Sequence, residues 1–263
     1  MLDNFNTGYE GKYDFPPPSG PPVRTYLLAS VPRAGSTLFS HILWRNGCLG
    51  APLEYLNFEA AGPYGFATNS PALQHELWRS VLRRRCSPNG VFGLKVFPPQ
   101  LQALQESNPA LLTDVLAAIL PRDRPRHVVY LTRRDRVAQT VSLARAALSG
   151  VWRSDQEGAG AGEPTYSQEA LEAAERGIGV QERAWASMFA DLQIKPLQLW
   201  HEDVLADPNA AARQVADYIG VRIDPDARVE VPPILKQAPG DASAWAETYA
   251  STRAPTGNQS SNS

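Results

Sequence analysis

The chain has 263 residues, 43% hydrophobic and 20% charged, with a formal net charge of −2. That length suits one α/β domain with a large core or at most two small ones, and the near-neutral charge gives no reason to expect sequence-independent nucleic-acid binding. With only Cys48 and Cys86 there is no disulfide framework, and no apolar run approaches the roughly 20 residues of a membrane span.

The first residues, Met1 to Asn6, lack the basic and apolar regions of a signal peptide. With the cysteine count, this makes a cytoplasmic, reducing location the expectation. Residues 1–22 turn proline-rich at Pro16–Pro22 and read as a flexible arm. Residues 23–250 read as one domain, and the polar 251–263 as a disordered tail.

Tyr26–Ala29 is a buried strand. A helix follows from Gly35 to about Asn46, with Leu38, Phe39, Ile42 and Leu43 on one side and Gly47 as its stop. Residues 50–90 show little regular pattern apart from a helix around Trp78. Val91–Phe97 is the second strand. Asn108-Pro109 opens a helix that Pro121 ends. His127–Leu131 is the third strand, and Asp135 caps a helix with apolar positions at Val137, Val141, Ala144 and Leu148 and Gly150 past its end. A glycine-rich stretch, 154–165, reads either as a lid or as an inert connector. A long helix covers about Ser167–Leu192, Pro196–Trp200 is the fourth strand, and Asp207-Pro208 opens a helix closed by Gly220.

Strands alternating with helices predict an α/β protein: a P-loop-like three-layer α/β/α sandwich with a mostly parallel central sheet. Ligands in such sheets bind beyond the carboxyl ends of the strands. That gathers Ser30–Thr37, Phe97–Pro99, Thr132–Asp135 and His201–Asp203 at one edge.

Ser30–Thr37 (Ser-Val-Pro-Arg-Ala-Gly-Ser-Thr) joins a buried strand to a helix N-terminus, where backbone N–H groups and the helix dipole favour an anion. It departs from the nucleotide-hydrolase loop G-x-x-x-x-G-K-[ST]. Ser30 replaces the first Gly and Ser36 the Lys; Gly35 and Thr37 keep their places. The loop's one side-chain cation is Arg33. Without that Lys, and with no His/Cys cluster at metal-ligand spacing, no catalytic metal is expected. Lys95 lies in an otherwise apolar strand, and an unpaired charge there is costly. It must reach either a bound group at the strand end or an ion-pair partner.

Five segments resemble the bacterial trehalose-sulfotransferase-like family, which uses 3′-phosphoadenosine 5′-phosphosulfate (PAPS). They are Leu28–Leu38, Gly47–Tyr55 (Gly-Cys-Leu-Gly-Ala-Pro-Leu-Glu-Tyr), Phe92–Val96, Leu131–Ala146 with Ser149–Trp152, and Trp185 with Glu202-Asp203. The resemblance implies sulfuryl transfer from PAPS to a hydroxyl of a small acceptor, a sugar, glycoside or other natural product. It implies that the N–H groups of Ala34, Gly35, Ser36 and Thr37, with the side chains of Arg33, Ser36 and Thr37, hold the 5′-phosphate. It implies a 3′-phosphate site from Arg133 or Arg134 with Ser142, and Glu54 as general base. Arg33 and Lys95 join Glu54 as catalytic expectations. His41 is a second candidate base, although a packed histidine is the plainer reading of its helix position. Trp152 and Trp185 are read as either nucleotide or acceptor contacts or as core, and Glu202-Asp203 as loop anchors.

Two rival readings stand beside this one. One is an ATP- and Mg²⁺-dependent phosphotransferase, which the missing loop Lys disfavours. The other is a non-catalytic nucleotide-binding protein. The acceptor's identity and the oligomeric state stay open.

Overall fold

The structure, a computed structural model, describes residues 7–17, 20–152, 162–234 and 242–253. Two compact units make up the chain: Met1–Arg134 with Gly179–Ile234, and Asp135–Ile178 with Leu235–Ser263. Residues 23–250, expected as one domain, contribute to both units.

The first unit is built on four parallel strands, β1 (Arg24–Ser30), β2 (Val91–Val96), β3 (His127–Thr132) and β4 (Leu197–Trp200), in the order β2-β1-β3-β4. The chain moves from β1 to β2 on one side and then to β3 on the other. The strand order therefore reverses at β1, and a crevice opens beyond its carboxyl end. β1 and β2 are buried almost throughout, as expected of parallel strands covered on both faces.

Helix α1 (Ser36–Arg45) and α8 (Pro208–Ile219) cover one face. Phe39 and Leu43 of α1 and Val215 and Ile219 of α8 pack there against Tyr26, Leu28, Val129, Leu131 and Leu199. On the other face, Thr25 Oγ1 donates to Ile119 O at the end of α4 (Pro109–Ile119), and Tyr130 meets Phe189 edge to face. Helices on both faces make this the expected three-layer arrangement.

Between β1 and β2 the chain forms α2 (Pro71–Arg84), and after β2 it forms α3 (Pro98–Ser107). The six-residue α7 (His201–Ala206) follows β4 directly. The cap residues read from the sequence close their helices: the side chains of Asn108 and Asp207 accept from the N–H groups of Leu111 and Ala210. Gly47 has φ 68°, and a Cβ there would sit 1.5 Å from Ala227 O, so only glycine fits.

The arm is where sequence and structure differ most. Thr7–Phe15 lies against the rest of the first unit, with Gly8 and Phe15 buried. Arg85, 2% exposed, holds it: its guanidinium donates to the carbonyls of Gly8 (2.9 Å) and Glu10 (3.1 Å), and its Nε lies 3.0 Å from Asp14 Oδ1. An arginine has five donors in a fixed fork, which lets one buried side chain grip a whole turn of backbone.

The second unit contains α5 (Arg136–Ser149), the start of α6 (Gln168–Asp191) and α9 (Ala242–Arg253). Its core joins Val141 and Ala144 to Leu171, Ala174, Trp245 and Tyr249. Asp135 caps α5 through Ala138 N–H, and Gly150 ends it in the left-handed conformation. Leu148 does not continue the expected stripe: it is 48% exposed, whereas Val141 and Ala144 of the same stripe are buried, with Gln139, Thr140 and Ala146 buried beside them. Of the glycine-rich stretch, residues 154–161 lie outside the described residues, as does the tail from 254 onward. No helix of the described residues is long and apolar enough to cross a membrane.

Candidate active site

The loop after β1 turns sharply through two left-handed residues, Arg33 (φ 63°) and Gly35 (φ 78°). A side chain at Gly35 is barred twice: by its φ, and by the ring of His201, whose Nδ1 would lie 2.2 Å from the added Cβ. Gly35 ends the loop as the N-cap of α1. The first N–H groups of α1 have no partner within the helix and point toward the crevice. Ala34 N–H is drawn back to Val31 O at 3.4 Å, a long turn contact.

The lysine absent from the loop arrives from the next strand. β2 pairs with β1 so that Lys95 lies opposite Leu28, near the crevice end of the sheet. Its side chain, 2% exposed, donates to Thr37 Oγ1 at 3.1 Å and pairs with Glu54 Oε1 at 2.9 Å. Glu54 is delivered by the segment after α1, which runs along the free edge of β2. Leu53 bridges Leu94 in parallel, and Lys95 N–H donates to Leu53 O at 3.1 Å. Tyr26 OH anchors the start of that segment on Leu49 O at 2.9 Å.

The other Glu54 oxygen accepts from Gln100 Nε2 at 3.0 Å and, at 3.4 Å, from Asn57 Nδ2. Gln100 is itself oriented, since its Oε1 accepts from Phe97 N–H at the start of α3. Burial pushes the Glu54 carboxyl up, but the Lys95 charge and the three side-chain hydrogen bonds outweigh it and hold the group below the ordinary 4.5. The carboxylate is therefore ionised at neutral pH. Thr37, Lys95 and Glu54 form one continuous polar line from the anion loop to a fixed carboxylate.

The two arginines after β3 have different partners. Arg134 clasps Asp203 with both terminal nitrogens, at 2.7 and 2.8 Å, lies over the Trp200 ring, and donates its N–H to Glu202. Glu202 and Asp203 thus anchor this loop. Arg133 turns to the anion loop instead: its Nη1 approaches Arg33 O at 3.4 Å, and its Nε is buried with no hydrogen-bond partner. The Arg33 guanidinium is held below its usual value, by burial first and by Arg133 second. His201 is likewise kept neutral by burial and by Arg133. Two facing cations and an unpaired buried N–H beside a helix N-terminus suit an anion.

Ser142 lies on α5, in the second unit. His41 is buried, with Nδ1 3.0 Å from Pro232 O and its ring edge-on to Trp44. Trp185 is core: it is 1% exposed, stacks on Phe189 and donates Nε1–H to Ser30 O. Trp152 is 49% exposed, in the second unit. Sequence reasoning missed Gln100 and Asn57, and it placed His201 at the ligand edge of the sheet without a role. Gln100 alone carried a signal, a glutamine at the third position of a Pro-Pro helix start directly after a strand.

An anion loop at the switch point of a parallel sheet, backed by a fixed carboxylate, is the layout of an α/β group-transfer enzyme with a P-loop-like fold. The group transferred follows from kinship: the chain belongs to the Stf0 sulphotransferase family, whose model matches residues 25–252, and it is a sulfotransferase. It is 27% identical over 258 residues to trehalose 2-sulfotransferase of Mycobacterium tuberculosis (strain ATCC 35801 / TMC 107 / Erdman), covering 86% of this chain and 94% of that protein. It is 23% identical over 258 residues to trehalose 2-sulfotransferase of Mycolicibacterium smegmatis (strain ATCC 700084 / mc(2)155), covering 85% and 93%. Among solved structures, the sulfotransferase domain from the Synechococcus PCC 7002 olefin synthase aligns over 90% of this chain and 98% of that one, with TM-score 0.46 and 15% identity. At that distance the likeness adds nothing to the functional reading.

Proposed function

We propose that this sulfotransferase takes its sulfuryl group from PAPS and delivers it to a hydroxyl of a small sugar, with Glu54 as the general base. The observation that carries this reading is the Thr37–Lys95–Glu54 line, which links the anion loop to a buried, ionised carboxylate. Trehalose, named for both curated relatives, is the first acceptor to try.

The chemistry asks three things of the residues. The acceptor oxygen attacks sulfur as the bond from sulfur to the 5′-phosphate oxygen breaks. The hydroxyl proton passes to the Glu54 carboxylate, and the bonding pair leaves with the phosphate. The loop N–H groups, with Arg33, Ser36 and Thr37, receive the 5′-phosphate and its growing charge. Arg133 is assigned the 3′-phosphate in preference to Arg134, whose guanidinium is engaged by Asp203. Ser142 remains assigned to that phosphate on the resemblance alone.

Lys95 has a double role in this scheme. While it pairs with Glu54 it keeps the carboxylate ionised but weakly basic. As negative charge grows on the leaving oxygen, Lys95 is drawn toward the donor, and Glu54, still buried, becomes the stronger base. Proton uptake is thereby timed to bond breaking. The buried thiols Cys48 and Cys86, both unpaired, fit a reducing, cytoplasmic setting.

The test supplies PAPS and trehalose without added metal and looks for the sulfate ester. Ester formation is expected, together with calorimetric preference for 3′-phosphoadenosine 5′-phosphate (PAP) over ADP. Equal affinity for the two nucleotides would overturn the donor assignment. Tight donor binding with transfer only to other alcohols would overturn the acceptor alone.

A further inference from the structure

We infer that the N-terminal segment Thr7–Phe15 is a working part of the active site, and that Tyr9 is a positioning residue for Glu54. The inference rests on the reading of Glu54 as the base.

The geometry starts at Arg85. It is among the largest fully buried side chains of the described residues, and its hydrogen bonds go to the arm: Gly8 O, Glu10 O and a longer one to Tyr13 O at 3.4 Å, with the Asp14 carboxylate as its ion-pair partner. The Trp44 ring lies under its guanidinium, with the centroid 5.6 Å from Cζ. A charge buried this deeply is tolerated only when its donors are met, and here the arm meets them. The arm is further tightened by Glu10, whose carboxylate accepts from the N–H groups of Thr7 and Gly8, both at 2.7 Å.

What this latch carries to the site is Tyr9. Its hydroxyl accepts the backbone N–H of Glu54 at 3.1 Å, and its ring stands edge-on to Tyr64 (5.6 Å) and Tyr55 (6.2 Å). Burial first, and the Glu54 charge second, hold the Tyr9 phenol well above its ordinary value. The hydroxyl thus stays protonated wherever the enzyme works.

Glu54 follows Leu53, which bridges the edge of β2, and its backbone N–H points away from that strand toward the arm. Lys95 and Gln100 fix the carboxylate; Tyr9 fixes the main chain that bears it. A base misplaced by even an ångström loses much of its value, so a backbone contact at the base itself bears on kcat. This segment lies outside the stretch that the family model matches, which begins at residue 25.

The test is Tyr9→Phe, which keeps the ring and removes the hydroxyl. Three readouts are taken: turnover with PAPS and trehalose, PAP affinity, and hydrogen exchange at the Glu54 amide in the ligand-free protein. One hydrogen bond at the base is expected to lower kcat by about tenfold, with PAP affinity within about twofold of wild type. The Glu54 amide should exchange markedly faster. Placed on Glu54→Gln, the same substitution should add almost nothing, because residues acting through one group are not additive.

Unchanged amide exchange in Tyr9→Phe would overturn the inference whatever the acceptor proves to be. So would an equal loss of turnover in the wild-type and Glu54→Gln backgrounds, since Tyr9 would then act independently of Glu54. Wild-type turnover by Glu54→Gln is a different failure, that of the base assignment, and the exchange measurement keeps the two apart.

Discussion

Replacing Lys95 with methionine removes one charge from the buried line and leaves nearly the same volume, so packing strain stays small. Two contacts go with it, the hydrogen bond to Thr37 and the ion pair to Glu54. The hydrogen bond is worth about 1 kcal/mol at any pH. The ion pair is worth more and depends on pH. In the wild type, Glu54 titrates below its ordinary value. It therefore contributes stability that is present above that value and lost as pH falls through the lowered one. Without Lys95, burial is the largest remaining influence and raises the carboxyl above the ordinary value. The variant then loses stability as pH rises through that raised value. The two effects reinforce each other, so the penalty of the substitution grows with pH. It should be about 1 kcal/mol at a pH below the lowered Glu54 value, where the carboxyl is protonated and the hydrogen bond alone is missed, and about 3–4 kcal/mol at pH 8, the size typical of an orphaned buried charge. Urea unfolding at both pH values, with the slope held common, measures it. The double variant Lys95→Met/Glu54→Gln should recover most of the loss at pH 8, because no charge remains unpaired. A penalty that is equal at the two pH values, or below about 0.5 kcal/mol at pH 8, would refute the coupling.

Other expectations follow from the same geometry. Arg133→Ala should weaken PAP binding more than tenfold and ADP binding much less, whereas Arg134→Ala should leave PAP selectivity nearly intact; calorimetry of both variants with both nucleotides decides. Gly35→Ala should destabilise by about 1–2 kcal/mol from its left-handed backbone alone and should also reduce PAP affinity, since the new Cβ displaces His201. Pairing it with His201→Ala should restore part of the stability and none of the backbone strain, as thermal unfolding would report.

How far the sequence reached can be judged from particular residues. Asp135, Asn108 and Asp207 are local capping signals, and they sit where their sequence neighbours said they would. The anion loop was legible for the same reason: strand, turn and helix start are contiguous. Glu54 and Lys95 were each picked out, but not as partners, because the edge pairing of Leu53 with Leu94 that joins them is a long-range contact. The partner of Arg134, Asp203, lies 69 residues away and was not legible either. The arm was the hardest segment to read. Its prolines and polar residues have the composition of a free chain, and the contacts that hold it, those of the buried Arg85 foremost, come from residues far along the sequence. Leu148 failed differently: Val137, Val141 and Ala144 of the same stripe join the core of the second unit, while Leu148 in the last turn of α5 stays exposed.

The central claim is that Glu54 removes the acceptor's proton during sulfuryl transfer. It is tested most directly by single-turnover transfer from bound PAPS to trehalose in wild type and Glu54→Gln, with PAP affinity measured alongside. The account predicts a rate lower by about two orders of magnitude or more in the variant, with PAP affinity unchanged. A variant that transfers at the wild-type rate, or that loses donor binding in proportion to its rate, would contradict it.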